Sequence, residues 1–136
     1  MSPNRIVTPP SVITLGPSFC NQAGVIMNIL ELAETTEPVR GVSLIHSVAG
    51  SERSNHYHRT DSHWLYVISG EMHYEERDVG ALEYPEPLKL TAGQMIYTPR
   101  MVEHRTTFPV ETMVLSLSRY ARDAESHERD LVRVTR

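Results

Sequence analysis

Four histidines are the residues of this chain best suited to chemistry, namely His56, His58, His63 and His104. Three of them lie between positions 56 and 63. Histidine is the commonest metal ligand among side chains, and alternate residues of a strand share one face. If residues 55–58 are extended, His56 and His58 point the same way and can hold one ion. Histidine occupies only 7 of 136 positions, so this grouping favours a shared metal site over unrelated core or surface histidines.

Size and composition set the limits for the rest of the molecule. A chain of 136 residues is expected to form one domain around a single hydrophobic core. The 13 Lys and Arg against 17 Asp and Glu form no basic stripe, which argues against a nucleic-acid partner. The apolar runs are too short to span a membrane. The first residues do not resemble a secretion signal, and the single cysteine, Cys20, cannot form an internal disulfide, so we expect a cytoplasmic protein.

The chain divides into three parts by composition. Residues 1–24 are rich in proline and predict an extended arm that can pair at a sheet edge. Residues 25–118 hold short segments rich in β-branched residues between turn formers, which is typical of an all-β sandwich or barrel. Residues 119–136 are dense in charge and predict a tail that forms a solvated helix or an arm across a partner.

The strands that must position the histidines can be placed by alternation and by turn residues. Residues 25–32 predict a strand or a short helix. Further strands are predicted at 41–48, 63–69, 71–77, 88–90, 94–98, 104–108 and 112–118. The strands at 63–69 and 71–77 are separated only by Gly70, which predicts a hairpin between them. Alternation predicts that Leu65 and Val67 share the face of His63, and that Thr106 and Phe108 share the face of His104.

The spacing of the histidines resembles the two motifs of the cupin family. The first motif runs Gly50, five residues, His56, one, His58, four, His63, six, Gly70, with histidine at the usual glutamate position. The second runs Gly93, five, Pro99, one, Met101, two, His104, three, Phe108, without the usual glycine and asparagine at its end. The histidine that serves as a ligand in the second motif is kept.

The resemblance implies a small jelly-roll barrel that holds a divalent transition metal in its interior. His56, His58 and His104 stand at ligand positions, and His63 stands where glutamate is usual. An all-imidazole shell suits Zn, Fe, Ni or Cu. Two roles stay open for His63: a fourth metal ligand, or a catalytic base or hydrogen-bond donor beside three ligands. Cupins commonly pair, so a homodimer is also expected.

A narrower resemblance involves the segment from Arg53 to Tyr57. It is similar to the Arg-x-x-His-Tyr stretch of sugar-nucleotide cupins, which include the dTDP-4-dehydrorhamnose 3,5-epimerase family. In that family the matching histidine acts as a base without metal, and the arginine helps to bind diphosphate or sugar. Arg53 is therefore a candidate catalytic-site residue, while the additional histidines favour a metal-bound relative. Asp61 is either a turn former or a carboxylate that orients a ligand imidazole.

Three functions follow from these residues. The first is a metal-dependent isomerase, epimerase or lyase that acts on a keto or enol carbon of a small polar substrate such as a sugar nucleotide, with Arg53 and His63 as catalytic residues. The second is an iron-dependent dioxygenase. The third is a non-catalytic protein that binds a metal or a small ligand.

Overall fold

The computed structural model describes residues 10–29 and 38–134, and these residues are mainly β-strands. The elements are β1 (Ile13–Thr14), β2 (Phe19–Asn21), β3 (Gly24–Ile26), β4 (Gly41–Ser47), β5 (Ser51–His58), β6 (His63–Ser69), β7 (Glu71–Asp78), β8 (Leu88–Thr91), β9 (Gln94–Thr98), β10 (Val102–Phe108), β11 (Thr112–Ser118), α1 (Ala124–Asp130) and β12 (Leu131–Arg133). The predicted all-β class is confirmed. Within the described residues no helix has both the length and the hydropathy needed to cross a membrane.

Two antiparallel sheets of five strands enclose the core. The first has the order β1-β9-β6-β11-β4, and the second has the order β12-β5-β10-β7-β8. Each sheet turns one apolar face inward. The core residues are Leu65, Val67, Ile96 and Val114 from the first sheet and Met72, Tyr74, Leu90 and Phe108 from the second. Thr106 and Phe108 are buried together with His104, whereas the residues between them are half-buried, as alternation predicts.

The predicted hairpin between β6 and β7 is wrong. β6 pairs with β9 and β11, whereas β7 pairs with β8 and β10 in the other sheet. The chain turns a corner at Gly70, whose φ of +94° is open mainly to glycine. Both strands have strongly apolar inward faces, and these faces pack against each other across the core instead of lying side by side. A turn signal marks where a strand ends but does not identify its neighbour.

The first and last strands of the described chain lie at sheet edges. β1 pairs with β9 at the edge of the first sheet. β2 and β3 form a separate hairpin, so the strand or helix predicted over 25–32 is a strand as far as Ile26, and positions 30–37 lie outside the described residues. At the other end α1 leads into β12, which pairs with β5 and places Leu131 opposite His58. The charged tail thus lies directly against the strand that carries two of the four histidines.

The hydroxyl of Tyr74 makes polar contacts inside the core. Tyr74 is fully buried, and its hydroxyl lies 2.5 Å from the Glu76 carboxylate and 2.7 Å from Thr98 Oγ1. Replacing Tyr74 by phenylalanine leaves a buried carboxylate without this donor, and we expect the free energy of unfolding to fall by about 2 kcal/mol. Urea denaturation measures the change. The exposed Tyr120, replaced in the same way, is the matched control, and equal midpoints for the two variants would contradict the prediction.

Candidate metal centre and cavity

The two sheets bring the four histidines to one place in the interior. His56 and His58 lie on β5, and His104 on β10 is paired directly opposite His56. His63 begins β6 in the other sheet. The ring centroids of His56 and His104 are 4.7 Å apart, and those of His63 and His104 are 5.2 Å apart. Four residues from three strands, which the sequence only suggested were close, therefore form a single cluster.

A β-bulge precedes the first two histidines. Ser54 and Asn55 have φ values of +78° and +63°, and the pairing register shifts between His104 and Arg105. His104 lies opposite His56 and Arg105 lies opposite Ser54, so Asn55 is the additional residue on β5. Bulges redirect side chains next to functional sites. From His56 to His58 the strand is regular, because it pairs residue by residue with β12.

Three of the histidines form a group that fits a transition metal. The candidate ligand atoms of His56, His58 and His104 all lie within 4.8 Å of one another. The Nε2 atoms of His58 and His104 are buried and have no hydrogen-bond partner. Buried polar atoms without a partner are uncommon and call for an explanation, such as an ion. Neutral imidazole nitrogens in this number and arrangement are suitable ligands for Zn, Fe, Ni or Cu.

Hydrogen bonds to the Nδ1 atoms of two rings determine that their Nε2 atoms carry the free lone pair. Nδ1 of His58 lies 3.1 Å from the Asp130 carboxylate, and Nδ1 of His104 lies 3.1 Å from the carbonyl oxygen of Val102. Both partners accept hydrogen bonds, so each Nδ1 carries the proton. Each Nε2 is then an unprotonated donor atom for a metal, which is the usual arrangement of ligand histidines.

The rings of His56, His58 and His104 are uncharged at neutral pH. Burial, followed by repulsion from neighbouring histidines, lowers the pKa of His56 to about 2 and that of His58 to about 3. Burial also lowers the pKa of His104 to about 4, although the hydrogen bond to Val102 acts in the opposite direction. Histidine binds metals in its neutral form, so no proton has to be removed from these rings before an ion can bind.

His63 has a different environment from the other three. Its side chain is buried, and its Nε2 has no hydrogen-bond partner. Its Nδ1 lies 2.9 Å from Nη2 of Arg122. Burial, followed by the electrostatic interactions with His104 and Arg122, lowers the pKa of His63 well below its usual value. The ligand atoms of His63 do not fall within the group of nitrogens that His56, His58 and His104 form.

Two residues of the C-terminal segment contribute groups that the sequence did not reveal. Arg122 donates a hydrogen bond of 3.0 Å from its Nε to Asp61, for which the sequence left a turn role and a ring-orienting role open. The carboxylate that contacts a ligand ring is that of Asp130, at the end of α1, which lies 3.1 Å from Nδ1 of His58. The pairing of β12 with β5 brings Asp130 to the histidines, and the pairing of β11 with β6, which places Ser118 opposite His63, brings Arg122 there. No local motif in the charged tail signals either contact.

Three of the four histidines, all but His58, line an open cavity of about 260 Å³ between the sheets. Its polar lining includes Arg53, His56, His63, His104, Arg122 and His127. Arg53 is held at the cavity by β4, because its Nε donates to Ser47 Oγ at 2.8 Å and its Nη2 donates to the carbonyl oxygen of His46 at 2.9 Å. His127, on α1, was not predicted to belong to the site.

Two antiparallel sheets around an interior histidine cluster define a small jelly-roll protein with a candidate metal site. The sequence profile described as Cupin domain matches residues 43–117, and the chain belongs to the cupin family. The predicted cupin jelly roll is therefore confirmed.

Several solved structures share this fold at low sequence identity. A 3,4-ketoisomerase from Helicobacter canadensis has a TM-score of 0.76 and 12% identity, with 91% of this chain and 90% of that chain covered. QdtA, a 3,4-ketoisomerase from Thermoanaerobacterium thermosaccharolyticum, was solved as a double mutant with TDP and has a TM-score of 0.73 and 18% identity, covering 91% and 86% of the two chains. The dTDP-6-deoxy-D-glucose-3,5-epimerase of Legionella pneumophila has a TM-score of 0.72 and 12% identity, covering 91% and 71%. Among curated protein sequences, none matches the chain significantly.

Proposed function

We propose that this cupin is a metal-dependent isomerase or epimerase that acts on a keto-sugar nucleotide. The observation that carries the proposal is the group formed by His56, His58 and His104, whose candidate ligand atoms lie within 4.8 Å of one another beside the cavity. These three residues would hold the ion. The similarity of the fold to ketoisomerases and an epimerase of sugar nucleotides supports the choice of substrate class.

The chemistry of this class sets out what the site must provide. Isomerisation or epimerisation next to a carbonyl removes a proton and develops negative charge on the carbonyl oxygen. A divalent ion, when bound, supplies Lewis-acid stabilisation of that charge. The apolar side chains Leu65, Met72 and Phe108 line the same cavity. The protein itself must then bind the substrate and accept the proton.

Arg53 is the group we propose for binding the diphosphate. Two of its N–H groups are used by β4, and the guanidinium carries five in all, so donors remain for an anion at the cavity. We expect Arg53→Met to raise KM for a sugar nucleotide about tenfold, since a hydrogen bond to a charged group contributes about 1.5 kcal/mol or more. Steady-state kinetics on the metal-loaded enzyme measures this. An unchanged KM would show that phosphate binds elsewhere.

His127 is the group we propose as the base. It lines the cavity from α1, and burial, followed by the charge of Arg122, lowers its pKa, which leaves the ring neutral and able to accept a proton at neutral pH. We expect His127→Ala to reduce kcat about 100-fold, in the range typical of general bases, while zinc content stays the same. His73→Ala, outside the cavity, is the matched control. A variant with full kcat would remove His127 from the mechanism.

The experiment that tests the proposed reaction uses a panel of dTDP-linked 4-keto-6-deoxy sugars. Protein loaded separately with Zn, Fe(II), Ni or Cu is incubated with each sugar, and the products are followed by proton NMR. We expect one of the loaded forms to convert at least one sugar to a positional isomer or an epimer. Unchanged substrate for every combination would overturn the proposal.

One observation favours a second candidate, an iron-dependent dioxygenase. Three converging histidines leave open positions on an iron ion, as oxygen-activating sites require. Anaerobic loading with Fe(II) followed by an oxygen electrode separates the two functions. Oxygen uptake that depends on substrate would identify the dioxygenase, and isomerisation without oxygen uptake would exclude it.

We also propose that the protein is a homodimer that pairs through β4. Among the described residues β4 pairs only with β11, so its other edge is open. Val42 and Leu44 point outward from this edge strand and are 64% and 61% exposed, which is unusual for apolar side chains on an open edge. Light scattering should give twice the mass of one chain, and Leu44→Glu should give a single chain. A monomeric wild type would contradict the proposal.

A further inference from the structure

The hydrogen bond between Arg122 and His63 determines the form of the His63 ring. Nη2 of Arg122 lies 2.9 Å from Nδ1 of His63. A guanidinium donates hydrogen bonds, cannot accept them, and stays protonated in proteins. Nδ1 of His63 is therefore the acceptor and carries no proton. Since a neutral imidazole keeps one proton, that proton lies on Nε2.

We infer that His63 is not a fourth metal ligand but a hydrogen-bond donor to the substrate, with Arg122 as the residue that positions it. A nitrogen that carries a proton has no lone pair for a metal. His58 and His104 show the opposite arrangement, because their Nδ1 atoms face the acceptors Asp130 and Val102. One cluster thus contains both tautomers, and the partner on the far side of each ring determines which tautomer is present.

The contacts of Arg122 keep its guanidinium in place. Its Nε donates to the Asp61 carboxylate at 3.0 Å, and the side chains of Arg122 and Asp61 are 18% and 4% exposed. Asp61 also accepts hydrogen bonds from the backbone N–H groups of Ser62 at 2.9 Å and Tyr120 at 3.2 Å. A carboxylate fixed by two backbone groups holds the arginine, and the arginine holds the imidazole.

The chemical class of the ligand follows from the Nε2 atom of His63. His63 lines the cavity, and its Nε2 is buried and has no protein partner. A buried N–H without a partner costs about 1–3 kcal/mol, which an oxygen acceptor on the ligand recovers. This inference rests on the proposed function, because the acceptor we assign is the carbonyl oxygen of the keto substrate. A donor held in position there stabilises the negative charge that develops on that oxygen. Glutamate, the residue usual at this position, could not do so when ionised.

The tautomer of His63 can be observed directly. Protein labelled with 15N-histidine is examined by long-range 1H–15N correlation, first without metal and then with one equivalent of zinc. We expect His63 to carry its proton on Nε2 in both spectra, and the His58 and His104 Nε2 signals to shift when zinc binds. A proton on Nδ1 of His63, or a zinc-induced shift of its Nε2 like that of His104, would overturn the inference.

Substitutions at position 122 supply the matched comparison. Arg122→Met removes the donor, and we expect the proton of His63 to distribute between both nitrogens. Arg122→Lys restores a donor and should restore the single tautomer. Identical His63 spectra for the arginine and methionine forms would contradict the role of Arg122. These spectra need no turnover, so a protein inactive on every sugar nucleotide would end the proposed function and leave this test intact. An active isomerase with zinc on His63 would end only this inference.

Discussion

Replacing His104 by alanine will abolish tight zinc binding, whereas replacing His63 by alanine will leave it nearly unchanged. His104 is one of three residues whose ligand atoms lie within 4.8 Å of one another. Loss of an indirect contact to a ligand lowers metal affinity about 10- to 100-fold, so loss of a ligand should lower it more than about 100-fold. His63 lies outside that group and contacts Arg122 through Nδ1. Competition with a chromophoric chelator measures both affinities.

The chain supplies the controls for this comparison. His73 is a histidine outside the cluster, and its ring contacts Glu71, so His73→Ala should bind zinc like the wild type. Thermal denaturation of the metal-free proteins identifies any variant that fails to fold. Equal losses of affinity in the His63 and His104 variants would contradict the three-ligand site and restore the four-ligand interpretation.

Replacing Gly70 by alanine will destabilise the fold by about 4 kcal/mol. A methyl group at Gly70 would lie 2.5 Å from the carbonyl oxygen of Glu111 and 2.7 Å from the Cα of Thr112, both of which are backbone atoms that cannot easily move. A positive φ costs other residues about 1–3 kcal/mol, and overpacking costs a similar amount. Gly70 also forms the corner between the two sheets, so strain there acts on both. The midpoint of urea denaturation measures the effect.

Gly80 separates the two causes of this effect. Its φ of +92° nearly equals that of Gly70, but a methyl group there would meet no atom within 4 Å. Gly80→Ala should therefore show only the backbone cost, at about 1 kcal/mol. If the two alanine variants were equally stable, the close approach of β11 to the corner would not contribute.

The sequence was sufficient to predict the histidine cluster because its signals are local. His56 and His58 share a face through strand periodicity, and the spacing to His63 and His104 matches a family motif. Neither Asp130 nor Arg122 could be predicted in this way. The position of Asp130 depends on the pairing of β12 with β5, and that of Arg122 depends on the pairing of β11 with β6. These are contacts between distant parts of the chain, and they leave no periodic pattern in a short charged tail.

The placement of β6 and β7 in opposite sheets also could not be predicted from the sequence. Gly70 marks a turn in either arrangement, but only packing decides that β6 and β7 separate into opposite sheets. The same reasoning applies to the role of His63. Its position in the motif leaves a fourth ligand, a base and a hydrogen-bond donor open. The contact that favours the donor comes from Arg122, in a segment that no motif connects to His63.

Hydrogen exchange in the substrate tests the central claim most directly. A dTDP-linked 4-keto sugar is incubated in deuterated water with the metal-loaded protein, and NMR follows the carbon next to the carbonyl. We expect deuterium to enter at that carbon, to stop entering when a chelator removes the metal, and to enter again when the metal is restored. Absence of deuterium with every metal, or exchange at the same rate after the metal is removed, would contradict a metal-dependent keto-sugar isomerase.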